Sequence, residues 1–154
     1  MSIVRLFEKA GAEWIERGQV QGPPDSDLGL AISLSDESFN IARNPYSSPT
    51  ITMAVGAPNA KFELGLSLVR VFKCSTNGCL QKGDDIVGDG SFGNSVSIAK
   101  DGNTIAIGGA DREITWPYTN GKVKVFTWSK DTNDWQQKQK ASNPSVSGPV
   151  SALL

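Results

Sequence analysis

The sequence predicts an all-β fold of antiparallel strands, and three observations predict it. A strand-like motif occurs three times: Val4-Arg5-Leu6-Phe7, Val69-Arg70-Val71-Phe72 and Val123-Lys124-Val125-Phe126. Its side chains alternate between two faces with the period of a strand. Gly (16) and Pro (8) are plentiful for 154 residues, which suits many short elements joined by turns. No segment keeps a helical period for longer than one turn. The length suits one domain with a substantial core.

Composition excludes several classes of function. Fifteen basic and 16 acidic residues leave a net charge of −1. That balance gives no concentrated positive field for nucleic acid or an anionic membrane surface. The chain has no histidine, so it lacks the usual catalytic triads, His-ligated zinc sites and the ordinary pH switch. No run of apolar residues is long enough to cross a membrane as a helix, so no membrane insertion is expected. Met1–Lys9 has no long apolar stretch of the secretory type and reads as a strand that begins almost at once.

The elements follow from the repeat, taken in order. Phe7–Arg17 taken alone passes for an amphipathic helix. Its counterparts contain Asn77-Gly78 and Asp131–Asp134 turns, so a hairpin is expected there. Trp14-Ile15-Glu16-Arg17-Gly18 aligns with Cys79-Leu80-Gln81-Lys82-Gly83 and with Trp135-Gln136-Gln137-Lys138-Gln139. Leu28–Ser35 aligns with Phe92–Ala99, and Met53-Ala54-Val55-Gly56-Ala57 with Ile105-Ala106-Ile107-Gly108-Gly109. These last runs are continuously apolar and small, as strands buried on both faces require. Asp101-Gly102 predicts a tight two-residue hairpin turn. The first full copy carries an insertion at Ser38–Pro49, whose Asn-Pro-Tyr-Ser-Ser-Pro has a loop composition. The unit is therefore about 52–54 residues, with four short strands in each copy.

A four-stranded unit at that period is the mark of a β-propeller blade. The ordered set Phe92-Gly93, Asp101-Gly102, Ile105–Ala110, Val123–Phe126 and Trp135 resembles the FG-GAP repeat of integrin-α-like propellers. Leu28-Gly29, Ala54-Val55-Gly56-Ala57-Pro58 and Val69–Phe72 form a second, similar set. The resemblance covers most of residues 3–139. It implies a partial propeller: a half blade over 3–18, full blades over 28–83 and 92–139, and a poorly ordered tail over 140–154. About two and a half blades do not close a ring. The expectation is a fragment of a longer cell-surface protein, a ring completed by homo-oligomers, or an open stack with exposed flanks. The implied function is non-catalytic adhesion or scaffolding through protein–protein recognition, outside the cell or at its surface. A glycan-binding propeller and a non-functional fragment are the alternatives.

Candidate sites follow from the same alignment. Many members of the family hold calcium in an Asp-rich loop between the first two strands. Here that loop reads Asp36-Glu37-Ser38 or Lys100-Asp101-Gly102, and neither offers three alternating oxygens. Asp84-Asp85 and Asp89 lie elsewhere without the spacing, so no metal and no cofactor is expected. Cys74 and Cys79 take the places of Trp128 and Trp135 and face each other across the Ser75–Gly78 turn. They form either a disulfide, which implies an oxidising compartment, or a pair of small buried thiols. Trp14, Trp128 and Trp135 recur at matching strand positions and are expected to pack between neighbouring blades; with Phe72, Phe92 and Phe126 they are the structural aromatics of the repeat. Trp116, with Arg112 and Tyr118, lies in the interval between the second and third strands of its unit, and Phe62 lies in the matching interval of the other. Such a loop aromatic suits a sugar or a protein pocket. No paired acid stands out from turn chemistry, so no catalytic residue is assigned.

Overall fold

The computed structural model describes residues 2–35, 50–61, 66–110 and 121–141. All regular structure among them is antiparallel strand, in three sheets. The first sheet is a hairpin of β1 (Ile3–Ala10) and β2 (Glu13–Gln21). The second contains β3 (Ala31–Leu34), β4 (Ile51–Lys61) and β5 (Leu66–Ser75). Its outer position is shared by β6 (Gly78–Gln81) and β7 (Ile86–Asp89), which pair with opposite ends of β5. The third runs β8 (Ser95–Ile98), β9 (Thr104–Ala110), β10 (Gly121–Ser129) and β11 (Asp134–Ala141). None of the three closes on itself among the described residues. The insertion at 38–49 and residues 142–154 of the tail lie outside the described residues.

Phe7–Arg17 is a hairpin, since Trp14 pairs with Lys9 and Glu13 with Ala10. The Asp101-Gly102 turn is wider than two residues. The Ala99 amide donates to the Thr104 carbonyl, and Lys100–Asn103 form the turn. The Asp101 carboxylate accepts the Asn103 amide, and Gly102 takes a φ of 66°, so local bonding favours the longer turn.

The outer strand is irregular near one recurring point. The register shifts between Leu6 and Phe7 in the first sheet and between Val125 and Phe126 in the third. In the second sheet the Lys82 amide donates to Val71, after which the chain leaves the ladder until Ile86. Both register shifts fall between the last two residues of the Val-x-x-Phe motif, and in the second sheet the ladder breaks one residue earlier in that motif, beyond Val71. An extra residue there sharpens the local twist.

The sheets stack face to face, and two apolar clusters fill the gaps. Val4, Leu6 and Val20 of the first sheet pack with Met53, Val55, Leu68, Phe72 and Cys74 of the second. Ala54, Val69, Val71 and Ile86 of the second pack with Ile98, Ile105, Ile107, Phe126 and Trp135 of the third, around Phe92. β4 is thus covered on both sides: Met53 and Val55 face one cluster and Ala54 the other. Burying one such Val, Leu, Ile or Met stabilises by about 1.5–3 kcal/mol.

The same contacts recur at both junctions. Gly29 lies against Val4 in the first, and Gly93 lies against Val69 in the second. A methyl group on either glycine would come within 2.8 Å or 3.0 Å of the valine Cγ2. Both glycines also have positive φ, 99° and 90°, which side-chain-bearing residues rarely adopt. Their amides donate to equivalent partners, Gly29 to Gly56 and Gly93 to Gly108.

Candidate recognition surface

The outer edges of the stack carry the side chains that the alignment singles out. Cys74 and Cys79 occupy opposed positions on β5 and β6 and form a disulfide, with Cα atoms 4.0 Å apart. In the third sheet the same two places hold Trp128 and Trp135, opposed on β10 and β11. Their rings meet edge to face, 5.4 Å apart. Each pair packs on a glycine of the preceding sheet. A methyl group on Gly18 would come within 3.1 Å of Cys79 Sγ, and one on Gly83 within 2.9 Å of both tryptophans. Glycine is needed at each place because disulfide or indole presses on the backbone itself.

Lys82 closes the second junction. Its Nζ lies 5.0 Å from the Trp128 ring and 5.3 Å from the Trp135 ring. It also donates to the Gly102 carbonyl at 2.7 Å and to Asn103 Oδ1 at 3.0 Å, so it holds the Lys100–Asn103 turn of the neighbouring sheet. In return the Trp135 indole N–H donates to the Lys82 carbonyl at 2.8 Å. The arrangement is a clamp between sheets. Nothing in the repeat pattern marks this lysine apart from Arg17 and Lys138 at the matching positions. Arg17 bonds instead to Glu8 within its own sheet, at 2.6 Å.

An open cleft of about 490 Å³ lies beside this clamp. Lys73, Asn77 and Leu80 of the β5–β6 hairpin line one side, and Trp128 and Asn133 line the other. Sequence reasoning did not find it, because its walls come from two different sheets.

Asp85, Asp101 and Asp134 are engaged in turns and pairing. Asp85 accepts two bonds from the Arg70 guanidinium, at 2.8 and 3.0 Å. This pairing holds the Arg70 pKa above its ordinary value. Asp134 accepts the Asp84 amide, and Asp101 caps its own turn. Among the described residues, no three acidic or cysteine side chains are grouped as metal ligands would be.

The repeat aromatics divide into two groups. Phe72, Phe92, Phe126 and Trp135 are buried, with Phe92 and Phe126 meeting edge to face at 6.3 Å. Trp128 packs against the same cluster, partly buried. Trp14 does not pack between sheets: it is 67% exposed, against 7% for Trp135. Trp135 is covered because the second sheet precedes it. Trp14 sits on the far side of the first sheet, where the described chain places no sheet. The loop candidates Phe62, Arg112, Trp116 and Tyr118 lie outside the described residues.

No family model matches the chain, and no curated protein or solved structure matches it either.

Proposed function

We propose that the chain is a non-catalytic binding or scaffold module of FG-GAP propeller type, acting through protein–protein recognition at or outside the cell surface. The observation that carries this reading is the repeated junction. Gly29–Val4 and Gly93–Val69, then Gly18–Cys79 and Gly83–Trp135, join successive sheets in the same way. This is how blades succeed one another in a propeller. The Cys74–Cys79 disulfide supports an oxidising compartment.

The stack also supports a location for recognition. β4 leads to β5, and β9 leads to β10, at the same end of their sheets, because the strands are repeat equivalents paired in the same sense. The intervals holding Phe62 and Arg112–Tyr118 therefore start from one end. Loops gathered at one end of a rigid scaffold are where binding residues concentrate.

The test is binding of the purified chain to cell-surface proteins and, in parallel, to a glycan array. The proposal expects saturable binding to a protein ligand that Trp116→Ala weakens at least tenfold while the unfolding midpoint stays put. Wild-type binding to glycans alone, lost in Trp116→Ala, replaces it with the lectin reading. A wild type blank in both assays overturns it.

A further inference from the structure

The first sheet differs from the others in what borders its innermost strand. β5 is flanked by β4 and β10 by β9, on the side away from the outer strand. Among the described residues β1 pairs with β2 alone. Yet β1 carries the same motif: Val4, Arg5, Leu6 and Phe7 match Val69, Arg70, Val71 and Phe72, which pair with Gly56, Val55, Ala54 and Met53. An edge with this sequence is a template for one more strand.

The second sheet shows the matching gap. Ile32 and Leu34 on β3 correspond to Val96 and Ile98 on β8. Val96 and Ile98 pack into the second cluster, where β3 and β4 lie against β8. The Ser33 hydroxyl also accepts the Ile98 amide there, at 3.0 Å. Ile32 and Leu34 face the other way, toward the first sheet, and each is 48% exposed, against 8% for Ile98. Leu30 beside them is exposed too. The bare residues adjoin Met53, Val55 and Leu28, which are buried under the β1–β2 hairpin, so the apolar face is continuous with an interface already formed.

We propose that β1 and the bare face of β3 together form a docking site for a β-hairpin supplied by a partner polypeptide of the same repeat type. Its inner strand pairs along the β1 edge and reads apolar-small-apolar-Gly, as β4 and β9 do. Its innermost strand covers Ile32 and Leu34, as β3 covers Ile98. Main-chain bonds to the edge give affinity, and the two aliphatic residues give register. The inference stands on sheet packing and goes beyond what the end loops bind.

The probe is a synthetic peptide of residues Ser91–Ala110, this chain's own β8–β9 hairpin, labelled for fluorescence anisotropy. The expected result is saturable binding to the full monomeric chain and added hydrogen-exchange protection of β1 amides. Ile32→Asp with Leu34→Asp, both at exposed positions, is expected to weaken it about tenfold or more, a loss of about 1.4 kcal/mol or more. Lys130→Asp, in the exposed turn between β10 and β11, leaves it unchanged. No binding, or binding indifferent to the β3 substitutions, overturns the proposal. Two results replace the occupant and overturn it as well. One is self-association of the chain, by light scattering, that Leu34→Asp abolishes. The other is peptide binding that appears only after residues 142–154 are removed.

Discussion

The junction between the first and second sheets and that between the second and third are built from the same sequence positions, but only the latter is full. At the second junction Ile98, Ile105, Phe126 and Trp135 are buried against a whole sheet. At the first, Val4 and Leu6 are buried over the outer half of the second sheet, while Ile32 and Leu34 remain bare. On its far side the first sheet exposes Phe7 and Trp14, whose counterparts Phe126 and Trp135 are buried. The pattern in one unit is written for a neighbour on each side. Burial then depends on whether that neighbour is present, not on the residue. Stability should therefore be unequal at equivalent positions.

The largest effect is expected at the closest approach of the two full sheets. A Cβ at Gly56 would overlap the Gly93 carbonyl oxygen, and neither backbone can yield alone. Gly56→Val should cost about 3 kcal/mol or more in urea unfolding, through forced separation of the sheets. Gly11→Ala, a turn position with nothing within 4 Å of an added Cβ, supplies the contrast and should show only the smaller penalty of its positive φ.

The tryptophan pair comes next. Trp135→Ala should lose about 3–5 kcal/mol, since the buried ring and its bond to Lys82 both go. Trp14→Ala should stay within about 0.5 kcal/mol, as expected at an exposed position. Equal losses at the two positions would mean that Trp14 is covered in solution.

Reducing the Cys74–Cys79 bridge should cost roughly 2 kcal/mol by thermal unfolding, because the loop that it closes is short. The effect should be felt at the Gly18 contact, and so at the first junction rather than the second. The smallest change is expected at Arg70–Asp85, which is partly solvated. Asp85→Asn should cost about 1 kcal/mol or less and lose significance in high salt. Its pH dependence has a fixed sign. The folded pKa of Arg70 is raised, so its contribution is complete at neutral pH and is lost only as pH climbs past the arginine range.

The sequence made the three-fold repeat, the hairpin at Phe7–Arg17 and the doubly covered β4 legible, because period and register are local properties. It did not make the Lys82 clamp legible, since nothing local distinguishes Lys82 from Arg17 and Lys138. The width of the Asp101 turn was hidden for a related reason: a side-chain bond within the turn and a lysine from the next sheet decide it. Trp14 shows the limit most clearly. Repeat position specifies which face a ring occupies, but not whether another sheet covers that face. Cys74 and Cys79 were readable as a facing pair because they replace two tryptophans at opposed positions.

The central claim is that equivalent positions differ because one junction is full and the other half open. The most direct test is equilibrium urea unfolding of Ile98→Ala beside Leu34→Ala, two matching positions on β8 and β3. The account predicts a loss of about 2–5 kcal/mol for Ile98→Ala and at most about 0.5 kcal/mol for Leu34→Ala. Equal losses would contradict it, for they would show the face of β3 already covered in the isolated chain.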